Sequence, residues 1–241
     1  MSIDNFLLAS LSAENRKLLV SRSIPVVLPL REVLYEANET PAYAYFLTAG
    51  LASVVTSMPD GETAEVSFIG REGLVGAFHL IGPAEVPTNC FVQMAGSALR
   101  MPMAELKEIF ETSEEVRERI LESVQEQTLT IGQISTCNRL HESQERLARW
   151  LLMARDRTQS DELNITQEFL AQMLGSRRTT VTVVAGALQR SGFIEYSRGK
   201  VRIIDHKNLE AAACDCYKVV KRLYDGLYSE IPGAVVQHKS L

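Results

Sequence analysis

The sequence predicts an α+β chain: an antiparallel β sandwich or barrel in its first half, one long helix at the middle, and a helix-turn-helix with a β-hairpin behind it. Three observations predict this. From Ile24 to Met101, short alternating or apolar runs are separated by turn residues, the period-two pattern of strands. Near Met103 the apolar period lengthens to that of a helix. Further on, Gly175 separates two short amphipathic segments, and a strand–turn–strand follows them. At 241 residues, 46% of them apolar, the chain has material for two domains and a connector.

Asp4 to Leu19 reads as short helical pieces carrying Leu7, Leu8, Leu11 and Leu18. Ile24 to Leu30 is the first strand, followed by Tyr43 to Leu47, Ala52 to Met58, Ala64 to Ile69, Asn89 to Met94 and Ala98 to Met101. The breaks fall at Ala49-Gly50, Pro59-Asp60-Gly61, Gly70, Gly82-Pro83 and Gly96. Of these, Pro59-Asp60-Gly61 is a hairpin turn, proline fixing φ and glycine accepting a positive one. Glu105 to Phe110 suits a short helix. Glu114 to about Asn138 forms a long one, with Val116, Ile120, Val124, Ile131 and Ile134 near one face. So narrow a stripe predicts a two-chain coiled coil; the alternative is packing against the chain's own β domain. Helix continues from Glu142 to about Arg157, a polar loop covers Thr158 to Asn164, and the domain boundary is placed near Leu140. A tail helix is expected from Asn208 to Tyr228, with Leu209, Val219, Leu223 and Leu227 apolar, packed on the wing or on a partner chain.

Net charge is −5, but its distribution is uneven. Between Arg177 and Lys207 stand seven basic residues (Arg177, Arg178, Arg190, Arg198, Lys200, Arg202, Lys207) against Glu195 and Asp205. A local basic patch on an acidic chain suits a phosphate-binding surface, although a solvated face looks the same at this level.

Cys90, Cys137, Cys214 and Cys216 fit neither a CxxC pair nor a zinc spacing, and Cys214-Asp215-Cys216 is too tight for an ordinary disulfide or knuckle. They are read as plain thiols, with no metal and no cofactor expected. The acid at Asp4 argues against a signal peptide, and no apolar run approaches membrane length, so a cytoplasmic protein without membrane contact is expected. Enzyme motifs (HExxH, GxSxG, GxGxxG, P-loop) do not occur, and His79, His141, His206 and His238 are scattered.

The informative stretch is Asn164-Ile165-Thr166-Gln167-Glu168-Phe169-Leu170-Ala171-Gln172-Met173-Leu174-Gly175-Ser176. Thr166 is a helix N-cap. Phe169, Leu170, Met173 and Leu174 form one buried face, and Gly175 supplies the left-handed residue that ends the helix. Ser176 is expected to cap a second helix, Arg177 to about Arg190, with Val181, Val184 and Leu188 inward. Its first turn, Arg177-Arg178-Thr179-Thr180, brings two cations and two hydroxyls to the end that reaches base edges in this motif. An arginine there can bond O6 and N7 of guanine together, while Thr180 and Thr182 suit a phosphate or a thymine methyl. Gly192 to Ile204 reads as a wing with Arg198 and Lys200 at its tip. The rival reading is a small-ligand regulatory module that does not touch DNA.

Through these residues the chain resembles the cyclic-AMP receptor protein/Fnr family of bacterial regulators over nearly its full length. The carrying segments are the β region, Gly70-Arg71-Glu72-Gly73-Leu74-Val75-Gly76-Ala77, the long helix, and Ile165 through Val181. The resemblance implies a double-stranded β-helix (jelly-roll, cyclic-nucleotide-binding-like) sensor over residues 1–112 and a dimerisation helix over 113–140. A winged helix-turn-helix with an extra C-terminal helix would then occupy 141–241. Implied partners are double-stranded DNA at a near-palindromic site, a second copy of the chain through residues 113–140, and RNA polymerase.

DNA-contacting positions are Thr166, Ser176, Arg177, Arg178, Thr179, Thr180, Thr182, Arg198 and Lys200. The effector pocket is expected at Arg71, Gly76, Ala77, Thr88, Asn89 and Ile131. The departures from the family pattern matter here. Where nucleotide-binding members place a glutamate after the cassette glycine, this chain has Ala77. Where they place a cation for the cyclic phosphate, Pro87, Thr88 and Asn89 offer none, with Arg71 the one substitute nearby. The helix positions that would meet the base are Ile131 and Gly132. A phosphate buried without a cation is strongly disfavoured, so cyclic AMP in the usual mode is not expected; the alternative is a cyclic-nucleotide-dependent regulator with an altered phosphate cassette. Arg178 matches the family arginine, but Thr179 follows it where glutamate is common, and Val183 stands where a later arginine can occur. No cysteine precedes Cys90, which excludes an N-terminal iron–sulfur cluster, and His79 or Cys90 would be the axial ligand of a haem.

Overall fold

A computed structural model describes residues 4–58, 63–82 and 85–231. Its N-terminal half opens with two short helices, α1 (Phe6–Ala9) and α2 (Ala13–Ser21), each started by a side-chain cap from Asn5 or Ser12. Six strands follow: β1 (Ile24–Leu28), β2 (Val33–Tyr35), β3 (Tyr43–Ser57), β4 (Thr63–Ile69), β5 (Leu74–Val75) and β6 (Asn89–Pro102). They form one antiparallel sheet in the order β1-β6-β3-β4, with β2 on β6 and β5 on β3.

Two expected strand breaks are instead bulges inside long strands. Tyr43–Leu47 and Ala52–Met58 belong to the single strand β3, and Asn89–Met94 and Ala98–Met101 to β6. The β3–β6 register slips between Leu47 and Ala52, where Gly50 has φ 84°. A Cβ on Gly96 would lie 2.0 Å from the Ala49 carbonyl oxygen. These glycines let two backbones approach at a bend; they do not end strands. The Pro59-Asp60-Gly61 turn, Pro83 and His238 lie outside the described residues.

Helix α3 (Met103–Thr112) leads into α4 (Glu114–Leu140), started by the Ser113 hydroxyl and two acids in its first turn. The stripe read as a coiled-coil seam is used within the chain. Val116, Ile120 and Val124 are buried in the β domain's core beside Leu106 and Phe110, whereas Ile134 joins the core of the second half and Ile131 is half-buried.

The second half contains α5 (Ser143–Thr158), β7 (Glu162–Asn164), α6 (Gln167–Leu174), α7 (Arg178–Arg190), β8 (Ile194–Ser197), β9 (Lys200–Ile203), α8 (His206–Ala212) and α9 (Cys216–Tyr228). Residues 162–164, read as loop, pair with β9 and make the wing sheet three-stranded, β7-β9-β8. The tail is two helices, because the chain turns extended at Ala213 (φ −81°, ψ 153°). It packs on α4 and α5 of its own chain, with Tyr217, Val220, Tyr224 and Tyr228 as its buried face and Val219, Leu223 and Leu227 half-buried. Among the described residues no helix is long and apolar enough to cross a membrane.

Candidate nucleic-acid interface and sensor site

Helix α6 starts at Thr166, whose hydroxyl accepts from the Phe169 amide (3.2 Å). It stops at Gly175, left-handed at φ 55° and ψ 40°. The Ser176 amide then donates back to the Ala171 carbonyl, and Gly175 to that of Gln172, closing the helix in the Schellman manner. Ser176 is thereby spent on ending α6: its hydroxyl donates to the Leu174 carbonyl, and the N-cap of α7 is Arg177. The expected cap at Ser176 is corrected accordingly.

Helix α7 buries Val181, Ala185 and Leu188 and leaves Arg177, Arg178, Thr179, Thr182 and Val183 exposed, with Thr180 half-buried. The Thr182 hydroxyl is within 3.2 Å of Gln167 Oε1 and bonds the Arg178 carbonyl, tying the two helices together on their outer side. Leu170, Met173 and Leu174 make the inner face of α6; Phe169 instead meets Phe91 of the β domain edge-on at 6.1 Å.

Strands β8 and β9 are joined by Arg198 and Gly199 alone, both at positive φ (50° and 78°). Two such residues make a type I′ turn, which matches the twist of the hairpin. An arginine in the left-handed region carries strain of roughly 1–2 kcal/mol. Thr166, Arg178, Arg198 and Gly199 line one open depression between the start of α6, the start of α7 and the wing. Lys200 is exposed at its edge, while Arg202 is neutralised by Glu195.

In the β domain several of the expected effector residues are engaged with other partners. Arg71 donates to the Asp4 carbonyl (2.8 Å), pairs with its carboxylate and lies over the Phe6 ring, so its charge already has a partner within the chain. Gly76 is left-handed at φ 98° and buried, with Ala77 buried behind it. Thr88 is bonded to the Tyr35 hydroxyl; Asn89 accepts from the Ala37 amide and donates to Ser57. Ile131 lies on α4. His79 is buried edge-on to Tyr35 (4.8 Å) with neither ring nitrogen hydrogen-bonded, and burial lowers its pKa; burial pushes the Cys90 thiol up.

Sequence reasoning missed two charged contacts at which the halves meet. The Arg157 guanidinium of α5 lies 3.1 Å from Glu72 in the glycine-punctuated loop and 3.7 Å from Glu126 of α4. Burial raises the Glu72 carboxyl, with the Arg157 charge opposing it. Nearby, Glu65 of β4 accepts from Trp150 Nε1 (2.9 Å) and Ser53 Oγ (2.6 Å), and burial pushes it up to about 7. The acid at position 72 was legible as part of a motif, but its partner 85 residues away had no sequence signal. A groove of about 350 Å³ also runs between the halves, past Leu30, Phe91 and Phe169. Finally, Cys137, Cys214 and Cys216, read as plain thiols, are buried together beside His141.

The profile of the cyclic nucleotide-binding domain matches residues 25–113, and that of the Crp-like helix-turn-helix domain matches residues 145–212. Together they span well over half of the chain. No curated protein matches. Among solved structures, a crp/fnr-family transcriptional regulator of Eubacterium rectale is 19% identical over 86% of this chain and 96% of its own, with a TM-score of 0.65. A CRP-family regulator of Thermus thermophilus is 24% identical (78% and 96% covered, TM-score 0.64). FixK2 of Bradyrhizobium japonicum is 13% identical (80% and 98%, TM-score 0.68). At these identities the structures show a shared fold. A β-roll of the cyclic-nucleotide-binding type joined by a long helix to a winged helix-turn-helix defines a transcription regulator. The chain belongs to the Crp/Fnr family.

Proposed function

We propose that this regulator acts in the cytoplasm, without catalysis, as a homodimer that reads a near-palindromic duplex through Arg177, Arg178, Thr179 and Thr180. Thr166, Arg198 and Lys200 hold phosphates; Ser176 and Thr182 shape the turn and the helix pair. The observation that carries this reading is the depression where Thr166, Arg178 and Arg198 converge, with hydroxyl and cations facing one concave surface. Cations around a groove-sized hollow bind backbone phosphate, and the exposed helix end beside them reaches base edges.

Pairing through residues 113–140 uses the side of α4 opposite its buried stripe. Leu121 and Leu129 are 41% and 51% exposed there, and Gly132 has open space in front of it. RNA polymerase is the further partner expected of a bound regulator. The effector is a molecule other than cyclic AMP in its usual pose, since Ala77 offers no ribose acceptor and Thr88 and Asn89 are already engaged.

Duplex affinity measured against salt tests the reading. Phosphate contacts release counterions, so log K falls linearly with log salt, by roughly 0.9 per phosphate neutralised. Affinity independent of salt, or no duplex binding, would overturn it.

A further inference from the structure

Three cysteines and one histidine meet where the end of α4 faces the junction of α8 and α9. Cys137 and His141 are one helical turn apart, and the His141 amide bonds the Cys137 carbonyl, so both side chains leave the same face. Because the chain runs extended at Ala213 before α9 begins, Cys214 and Cys216 both turn toward that face. The four ligand atoms all lie within 4.8 Å of one another. Cys137 Sγ is 3.4 Å from Cys214 Sγ, and Cys216 Sγ is 3.5 Å from His141 Nδ1.

We propose that these four side chains form a mononuclear Cys₃His site for zinc. In a tetrahedron with Zn–S near 2.3 Å and Zn–N near 2.0 Å, sulfurs stand about 3.8 Å apart and sulfur to nitrogen about 3.5 Å. The Cys137–Cys214 and Cys216–His141 separations are of that size and no pair exceeds 4.8 Å, whereas a cluster of several irons holds its thiolates wider apart. The donor set suits a borderline-soft ion. The surroundings suit the charge: three thiolates around Zn²⁺ leave one negative charge, and Arg149 and Arg146 act electrostatically on these thiols. Gln133 Nε2 donates to Cys216 Sγ at 3.1 Å, the outer-sphere bond that orients a ligating thiolate. All three cysteines are buried and His141 is half-buried, and an open surface pocket beside His141 and Cys214 gives the ion a way in. Binding displaces the three thiol protons into solvent. The site fastens the tail helices to the last turn of α4, at the point where the chain passes from the long helix into the DNA head.

The test uses full-length protein purified without chelator. Elemental analysis is expected to find about one zinc per chain. Replacing it with Co²⁺ in reduced protein is expected to give the visible bands of tetrahedral cobalt with thiolate-to-cobalt charge transfer. Cys216→Ser and His141→Ala are expected to shift those bands or abolish them. Should either variant fail to fold, competition of the wild-type cobalt complex by added Zn²⁺ still reads the site. No metal above trace together with no cobalt spectrum would overturn the proposal, as would cobalt bands unchanged in both variants. Iron–sulfur absorption with no zinc would also overturn it.

Discussion

Arg157, at the end of the helix that carries the DNA head, lies 3.1 Å from Glu72 in the sensor loop, and both are almost wholly buried. An ion pair of this kind joins the two halves by a contact that neither can replace with water. Removing one partner strands the other, which costs about 3–5 kcal/mol in buried pairs, whereas replacing both with apolar groups costs far less.

Glu72→Leu is expected to destabilise the chain by an amount near the lower end of that range, since Glu126 stands 3.7 Å from Arg157 and keeps part of the balance, and Arg157→Met by more, since it leaves both Glu72 and Glu126 without their cation. The double variant is expected to lose less than the sum. Urea unfolding of the four proteins in the cycle measures this coupling, and strictly additive losses would show that the pair does not act as a unit.

Glu65 gives the stability a pH dependence. Its carboxyl is raised from 4.5 to about 7 by burial, against the bonds from Ser53 and Trp150 and the nearby charge of Arg149. A raised acid favours folding while it is protonated. Its contribution is therefore full below about pH 4.5 and is lost as pH climbs through 7, on the order of 3 kcal/mol in all. Glu65→Gln keeps an acceptor for Trp150 but cannot ionise. Its Tm relative to wild type is expected to rise between pH 5.5 and 8.5; parallel Tm curves would refute the assignment.

Gly96 is held by geometry. Its Cβ would strike the Ala49 carbonyl, which belongs to a strand and cannot step aside. Gly96→Ala is expected to cost about 3 kcal/mol, the upper end of overpacking. Gly226→Ala on α9, with open space in front of it, serves as the control for folding. Equal Tm losses in the two would contradict this reading of the bulge.

The wing separates stability from binding. Arg198→Asn keeps a residue that tolerates positive φ before Gly199 while removing a cation. Thermal stability is expected to hold or rise, and affinity to fall alike for all duplexes. Arg178→Ala is expected to cost about 1–3 kcal/mol at one base position and little elsewhere. Competition binding with single-base operator variants distinguishes the two; base-selective loss on changing Arg198 would contradict the wing assignment.

What the sequence made legible was local. Thr166, Gly175 and the apolar spacing of α6 and α7 depend on neighbours within a few residues, and the helix-turn-helix follows from them. Ser176 was misplaced by one step because the Schellman closure uses its amide and hydroxyl for the preceding helix. The long-helix stripe was found but given the wrong partner: periodicity reports that Val116, Ile120 and Val124 are covered, and not by what. Gly50 and Gly96 read as breaks because a bulge glycine and a turn glycine look alike until the opposing strand is known. The Glu72–Arg157 pair and the Cys137–Cys214 approach join residues 85 and 77 positions apart, and only the folded chain brings them together.

The depression between α6, α7 and the wing is proposed to read duplex DNA. Incubating the full-length protein with a pool of random duplexes, with and without cyclic AMP, and sequencing the bound fraction tests it most directly. The same two-fold symmetric motif is expected in both samples, with half-sites about one helical turn apart. Failure to enrich any motif in either sample would contradict it.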